Sequence, residues 1–209
     1  ALMLHNHLPK IITNQHTKSF EQLYGTPISE CTIVIVGTGS LGGAIALLLE
    51  PLGPKIIGVN RQGKLVKGFT EVVSTNQLDK VLTNADILFL ALPETPETIG
   101  LIDYRRLNLL KPNCGIVNIG RQSAIDYQAL CENLKDGKIA GAILDVFKQE
   151  PISSESYFWK VPNLIITPHI SADDGKNYVN LTLDLFFNNL KRYLSGQSLI
   201  NKVNKELGY

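Results

Sequence analysis

The sequence has almost no excess charge of either sign and no long hydrophobic run. Its formal net charge is +1, from 20 lysines and arginines against 19 aspartates and glutamates, and it contains no basic cluster. This balance predicts no binding to nucleic acid or to an anionic membrane surface. The apolar runs are shorter than the roughly 20 residues of a membrane-spanning helix, and no signal-peptide pattern is present. We therefore expect neither a nucleic-acid partner nor a membrane partner.

The sequence also has few cysteines and no spacing of residues that is typical of a metal site. The 3 cysteines are odd in number and lack Cys-x-x-Cys spacing, which predicts reduced thiols in a cytoplasmic protein. No histidine stands at ligand spacing from a Cys or Asp cluster, so we predict no metal site. The chain begins at Ala1, already in helix-like sequence, which suggests part of a longer polypeptide. Its 209 residues, 44% of them hydrophobic, are enough to bury a good core.

One stretch, IVIVGTGSLGG at residues 33–43, organises the chain. Its four aliphatic residues indicate a strand buried on both faces, as in a parallel sheet. The glycines then follow at G-x-G-x-x-G spacing before a helix. Gly37 permits the tight turn, Gly39 lets the backbone approach a pyrophosphate, and Gly42 allows close packing of helix on strand. The strand before and the helix after make this a predicted dinucleotide site rather than an ordinary glycine-rich turn.

The first helical turn after this loop is predicted to bind the anion. Backbone N–H groups near Ser40 and Leu41 would face the pyrophosphate along the positive end of the helix dipole. Further buried strands are predicted, alternating with helices, and a short strand at 70–73 is an additional candidate. The six main strands are predicted at 33–36, 55–59, 86–92, 115–119, 141–146 and 163–167. This alternation indicates an α/β fold, a Rossmann-type doubly wound parallel sheet with flanking helices.

Three domain segments are expected. Residues 1–28 are a helical lead-in whose apolar positions need a partner surface, which we expect a second subunit to supply in a homodimer. Residues 29–174 form the dinucleotide-binding domain. Residues 175–209 form a C-terminal helix and tail that return toward a substrate domain, most of which is absent.

The end of the second predicted strand indicates which cofactor binds. Dinucleotide sites usually carry an acid there that accepts hydrogen bonds from the adenosine ribose. This chain has Asn60, followed by Arg61. An arginine forms charge-assisted hydrogen bonds to a 2′-phosphate, which an asparagine does not repel, so we predict NADP(H) as the preferred cofactor and NAD(H) as possible. Alternatively, Arg61 is an ordinary solvated loop cation.

Three downstream stretches each lie at the carboxyl end of a predicted strand, where ligands bind in open α/β sheets: NIGR at 118–121, DVFKQEP at 145–151 and TPHIS at 167–171. In this order behind the glycine loop, and with LPETPET at 92–98, they resemble the D-isomer-specific 2-hydroxyacid dehydrogenases. The tail is most similar to the glyoxylate/hydroxypyruvate reductase-like branch. The resemblance implies NAD(P)H-dependent reduction of a small 2-keto acid to a D-2-hydroxy acid, or the reverse, and dimerisation through the cofactor domain.

The resemblance also assigns roles to residues. Arg121 would hold the substrate carboxylate, His169 would protonate the keto oxygen as hydride arrives, and Glu150 would pair with His169. Each has an ordinary structural alternative when taken alone, as a surface ion-pair partner, a capping histidine or a loop acid. The residues implied around the cofactor, besides the glycine loop and Arg121, are Pro93, Thr98, Ile119 and Asp145.

The sequence departs from the family pattern at two places next to these residues. Gln122 follows the arginine where the family commonly has glycine, and Ser171-Ala172-Asp173-Asp174 replaces a motif with glycine and a small residue. The loop of the substrate domain that closes over the keto acid is also absent, so the isolated chain is expected to bind cofactor and to lack turnover. The alternative is a non-catalytic module of the same fold that senses nicotinamide cofactors or binds a protein.

Overall fold

A seven-stranded, entirely parallel sheet forms the centre of the first of two units, Ala1–His169 and Ile170–Tyr209. The computed structural model describes residues 1–205. The strand order is β3-β2-β1-β4-β5-β6-β7. The strands are β1 Thr32–Val36, β2 Lys55–Asn60, β3 Glu71–Ser74, β4 Ile87–Leu90, β5 Gly115–Asn118, β6 Gly141–Leu144 and β7 Leu164–Ile166. The doubly wound parallel sheet is confirmed, and the short candidate strand is present as β3.

The strand order reverses between β1 and β4, which are neighbours although two strands separate them in sequence. At such a reversal the connections leave to opposite faces and open a crevice outside the carboxyl ends of the strands. The central strands are fully buried: Val34, Ile35, Leu88 and Ile116 each have 0% exposure. In folds of this type, ligands bind at the edge of the sheet formed by the carboxyl ends of the strands.

The α-helices are α1 Leu2–His5, α2 Leu8–Thr17, α3 Ser40–Leu49, α4 Leu78–Leu82, α5 Tyr104–Leu107, α6 Tyr127–Lys135 and α7 Tyr178–Leu194. Asp103 and Asp126 cap α5 and α6 by accepting hydrogen bonds from the backbone N–H groups of Arg106 and Ala129. Within residues 1–205, no side chain makes such a capping bond to α4. A short 3₁₀ turn precedes α4 instead.

The N-terminal helices pack on the sheet of their own chain. The Leu4 side chain is 8% exposed and lies against Gly115 at the start of β5, while Pro9 lies against Gly141 at the start of β6. The Thr13 hydroxyl accepts a hydrogen bond from the backbone N–H of Asn163 at 2.7 Å. The expectation that this segment has no partner within the chain is therefore wrong, because glycines at two strand starts leave room for it.

Parts of the lead-in stay exposed: Leu2, Met3 and Ile11 on the outer side of α1 and α2, and above all two aromatic residues after α2. Phe20 is 99% exposed and Tyr24 is 83% exposed. The cysteines of the first unit, in contrast, are buried free thiols. Within the described residues, no helix is both long and apolar enough to cross a membrane, and no cluster of three or more His, Cys, Asp or Glu side chains is arranged to hold a metal.

In the described part of the second unit, the segment after α7 hydrogen-bonds back to that helix. The Asn189 side chain exchanges hydrogen bonds with the backbone N–H and carbonyl of Ile200, at 2.8 and 3.0 Å. Arg192 donates from Nε to the Ser198 carbonyl. The predicted C-terminal helix is thus present, beginning three residues later than the predicted start at 175.

Candidate functional site

The glycine loop after β1 is packed so tightly that two of its glycines have no room for a side chain. Gly37 has φ +100°, and a Cβ there would overlap the Ala91 carbonyl. A Cβ at Gly42 would overlap the Gly37 carbonyl, because α3 starts directly against the loop. A Cβ at Gly39 would meet nothing within 4 Å among the described atoms. The loop is therefore closed toward the protein at Gly37 and Gly42 and open to solvent at Gly39.

The N-terminus of α3 is available for an anion. The helix begins at Ser40 with Gly39 as its N-cap, and no side chain of residues 1–205 caps it. Ser40 and Leu41 are both exposed. Uncapped N–H groups at the positive end of a helix dipole bind phosphate groups without any cationic side chain. The structure thus has the geometry predicted for a pyrophosphate site.

Asn60 organises the loop that follows β2. Its side-chain amide donates to the Thr38 hydroxyl at 3.0 Å and to the Lys64 carbonyl at 2.9 Å. Its side-chain oxygen accepts from the backbone N–H groups of Gln62 and Lys64. Asn60 therefore ties this loop to the glycine loop, a role beyond the expected avoidance of charge repulsion.

Arg61 extends from the same loop across to the loop after β4. Its Nη2 lies 3.1 Å from Oε2 of Glu97, with the two side chains 37% and 65% exposed. The loop after β4 is shaped by Thr98, whose hydroxyl donates to the Pro93 carbonyl at 2.7 Å and accepts from the Thr95 N–H at 2.8 Å. Pro93 and Thr98 thus fix the loop that carries Glu97.

The segment after β5 presents Arg121 at the same edge. Its side chain is exposed, and Nη1 donates to the Gly120 carbonyl at 2.8 Å. The Asn118 side chain donates to the Arg121 carbonyl and accepts from the Gly120 N–H, each at 3.1 Å. The Ile119 N–H is used in a hydrogen bond to the Leu90 carbonyl at 3.1 Å. The backbone around Arg121 is therefore fixed, and the residue itself is exposed at this edge.

Asn118 and Tyr127 connect the segments after β5 and β6. The buried Tyr127 hydroxyl donates to the Val146 carbonyl at 2.7 Å and accepts from the Asn118 amide at 3.1 Å. Burial raises the pKa of Tyr127, so it remains a neutral donor. The Phe147 and Phe158 rings pack edge-on against Tyr127. The sequence analysis did not predict this network of hydrogen bonds around Tyr127. The one feature of the sequence that indicates it is Asn118, a polar residue at the end of an apolar strand.

His169 and Glu150 form a hydrogen-bonded pair beyond β7. His169 Nδ1 lies 2.8 Å from Glu150 Oε2, and the other carboxylate oxygen accepts from the Phe147 N–H at 2.6 Å. The bond to Glu150 raises the pKa of His169 above its ordinary value, and the bond to His169 lowers the pKa of Glu150. Near neutral pH this arrangement favours an imidazolium that can donate a proton from its other nitrogen.

Asp145 lies beside this pair. It is 2% exposed and accepts a hydrogen bond from the Thr167 hydroxyl at 2.5 Å. A cavity of about 380 Å³ opens next to His169, with an apolar wall that includes Phe147, Ile152 and Trp159. Asp145, the His169–Glu150 pair and the cavity thus lie together after β6 and β7. The glycine loop and Arg121 lie at the same edge of the sheet.

Comparison with known proteins gives consistent matches. The sequence model described as "D-isomer specific 2-hydroxyacid dehydrogenase, NAD binding domain" matches residues 1–171. A glyoxylate reductase of Pyrococcus furiosus is 36% identical over 186 residues, covering 89% of this chain and 53% of the relative. Glyoxylate/hydroxypyruvate reductase A of Escherichia fergusonii is 32% identical over 182 residues, 85% of this chain and 56% of the relative.

Solved structures of the same kind share the fold. The NADPH-dependent glyoxylate/hydroxypyruvate reductase of Sinorhizobium meliloti, in complex with NADP and sulfate, superposes with a TM-score of 0.89 at 30% identity, covering 100% of this chain and 66% of that one. A D-isomer specific 2-hydroxyacid dehydrogenase of Xanthobacter autotrophicus, in complex with NADPH and MES, gives 0.90 at 29% identity, covering 100% and 65%. The chain spans about half the length of the curated relatives it matches.

Proposed function

This chain belongs to the D-isomer specific 2-hydroxyacid dehydrogenase family, through its NAD-binding domain, and on that premise we propose that it serves an NADPH-dependent reductase of small 2-keto acids. The chain would supply the cofactor site and Arg121, Glu150 and His169. The observation that carries the proposal is the His169–Glu150 hydrogen bond of 2.8 Å at the sheet edge that holds the glycine loop. A cofactor-binding module without chemistry has no need of a hydrogen-bonded histidine–carboxylate pair there.

The residues divide the reaction among them. When bound, the reduced nicotinamide would be the source of the hydride for C2 of the keto acid. His169 donates the proton that the keto oxygen needs as the C=O double bond becomes C–OH, and Glu150 stabilises the imidazolium before that transfer. The exposed Arg121 guanidinium matches the substrate carboxylate with two parallel hydrogen bonds. Asp145 would accept from the carboxamide of the nicotinamide, while Ile119 would offer backbone contacts to it.

The test of this proposal is consumption of NADPH by the complete protein with a panel of small 2-keto acids, glyoxylate and hydroxypyruvate among them. Formation of the D-2-hydroxy acid is the expected result. A protein that binds NADPH and consumes it with none of these acids would fit the non-catalytic alternative, a sensing or interaction module of the same fold.

We expect Arg61→Ala to weaken NADPH binding selectively. Loss of a charge-assisted contact to the 2′-phosphate costs about 1.5–3 kcal/mol, roughly ten- to a hundredfold in affinity. NADH lacks that phosphate, so its affinity should change little. The measurement is titration of both cofactors, read by energy transfer from Trp159, the 1 tryptophan of the chain, to the bound dihydronicotinamide.

The matched control for Arg61 is Arg105→Ala. Arg105 is also an exposed arginine in an ion pair, but its partner is Asp79 at 2.7 Å. This variant should leave the NADPH affinity unchanged. Tighter binding of NADH than of NADPH by the wild type, or an equal loss of both in Arg61→Ala, would contradict the assignment.

We further propose that the protein is a cytoplasmic homodimer, with residues 1–28 contributing to the contact. The support is the exposure of Phe20 and Tyr24, since aromatic rings are enriched in the cores of subunit interfaces, and the free buried thiols fit a reducing compartment. Light scattering at tens of micromolar should give twice the 23.0 kDa chain mass, and Phe20→Asp should lower it. A wild type that stays monomeric would contradict dimerisation.

A further inference from the structure

An ion pair joins two loops at the edge of the sheet that carries the glycine loop. Arg61 follows β2 and Glu97 lies in the loop after β4, with 3.1 Å between Nη2 and Oε2. Strand β1 lies between β2 and β4 in the sheet. The Arg61–Glu97 pair therefore crosses the carboxyl end of β1, where the cofactor crevice opens.

We propose that Glu97 tunes the cofactor preference, as a carboxylate that competes with the 2′-phosphate of NADPH for Arg61. The inference rests on the proposed binding of that phosphate by Arg61. The Arg61 guanidinium can donate hydrogen bonds to a carboxylate or to a phosphate. When the cofactor binds, Glu97 must therefore give up its hydrogen bond to Arg61 or share the guanidinium with the phosphate. Glu97 thereby lowers the affinity for NADPH and leaves that for NADH nearly unchanged.

Glu97 is ionised, and hydrogen bonds fix the loop that carries it. Hydrogen bonds from its own backbone N–H and from the Thr95 hydroxyl lower its pKa, so it is a carboxylate at neutral pH. The hydroxyl of the neighbouring Thr98 fixes the loop by its bonds to Pro93 and Thr95. The charge therefore stands at a defined place opposite Arg61 before any cofactor binds.

The pair is also weak enough to be exchanged. Glu97 is 65% exposed and Arg61 is 37% exposed, and ion pairs between exposed side chains contribute little to stability. A phosphate dianion carries more charge than a carboxylate and can displace it from the guanidinium. Once displaced, Glu97 would remain within a few ångströms of the phosphate and repel it. Competition for Arg61 and repulsion of the phosphate both weaken the binding of NADPH, and neither acts on NADH, which lacks the 2′-phosphate.

The proposal is tested with Glu97→Gln, which keeps the side-chain shape and removes the charge. We expect NADPH to bind roughly threefold to tenfold tighter, and NADH to stay within about twofold of the wild type. The gain should shrink as salt rises, because exposed charges are screened. Titration of 2′,5′-ADP and AMP as probes should show the same contrast without the nicotinamide half.

The matched control is Glu71→Gln. Glu71 is also an exposed carboxylate in an ion pair, 3.3 Å from Lys55, but that pair lies at the amino ends of β2 and β3. The Glu71→Gln variant removes the same unit of charge from the opposite edge of the sheet. We expect it to change the affinity for neither cofactor by more than about twofold, because salt screens the longer distance.

The outcomes separate this inference from the function on which it rests. If Arg61→Ala weakens NADPH selectively while Glu97→Gln leaves NADPH unchanged, the inference is overturned and the function stands. If Arg61→Ala has no selective effect, the assignment of the 2′-phosphate to Arg61 and this inference both fail, while reduction of 2-keto acids is tested separately by the panel of acids. Weaker binding of NADH by Glu97→Gln would mean that Glu97 accepts from the ribose, which also overturns the inference. In the Arg61→Ala background only the direct repulsion between Glu97 and the phosphate remains, so Glu97→Gln should have a smaller effect on NADPH; an undiminished effect would contradict competition for Arg61.

Discussion

Replacing His169 by alanine is expected to lower the turnover of the complete protein by roughly 10²–10⁴-fold, because the keto oxygen then has no positioned proton donor. Cofactor affinity should be nearly unchanged. The His169 side chain bonds to Glu150 beyond β7, whereas the glycine loop and the α3 N-terminus follow β1. The measurements are steady-state reduction of a 2-keto acid by NADPH and, separately, titration of NADPH.

The companion variant Glu150→Gln should move the pH profile. Glu150 raises the pKa of His169, and reduction requires protonated His169, so the rate falls as the pH rises through that pKa. Glutamine keeps the shape and a hydrogen bond but removes the charge that stabilises the imidazolium, so the pKa of His169 falls. The alkaline limb of the pH profile should therefore lie at lower pH than in the wild type.

A direct titration gives the same answer without turnover. The chain has 4 histidines, and assignment of the His169 ring signal by its loss in His169→Ala allows its pKa to be followed by NMR. We expect that pKa to be above the ordinary value in the wild type and lower in Glu150→Gln. An unmoved alkaline limb together with an active His169→Ala would mean that the pair is structural and that the proposed chemistry is wrong.

Replacing Gly42 by alanine is expected to destroy most of the cofactor affinity, because a Cβ at this position overlaps the Gly37 carbonyl. That carbonyl belongs to the turn of the glycine loop, so the loop or α3 must move. A loop shift that loses one charge-assisted contact to the pyrophosphate weakens binding roughly ten- to a hundredfold. Forcing an atom into so tight a contact also lowers the free energy of unfolding by about 1–3 kcal/mol.

The adjacent glycine provides the control. A Cβ at Gly43 would meet only the Thr38 carbonyl at 3.9 Å among the described atoms, an ordinary contact. Gly43 lies inside α3, where alanine is favoured over glycine by up to about 1 kcal/mol. Gly43→Ala should therefore bind NADPH as the wild type does and unfold at an equal or higher temperature.

Thermal unfolding and NADPH titration of the two variants check this pair of expectations. The same one-carbon addition at neighbouring positions should give opposite results. Equal behaviour of Gly42→Ala and Gly43→Ala would contradict the tight packing of α3 against the loop.

The sequence alone determined the parallel sheet, the glycine loop and the three residues proposed for catalysis. These features depend on local chemistry: a run of buried aliphatic residues favours a strand in any context, and only glycine tolerates the φ of +100° at Gly37. His169, Glu150 and Arg121 were identifiable because each follows a strand in a short motif with strong family resemblance. The strand ends then bring them to one edge.

Only the tertiary structure decided which groups each side chain meets. The N-terminal helices cover β5 and β6 because Gly115 and Gly141 leave space, and no pattern within residues 1–28 contains that information. Tyr127 bonds to Val146 and Asn118, and Arg61 pairs with Glu97, 36 residues away in sequence. Such partners depend on how distant loops are packed, because a side chain's residue type fixes what it can bond and only the fold fixes what lies within reach.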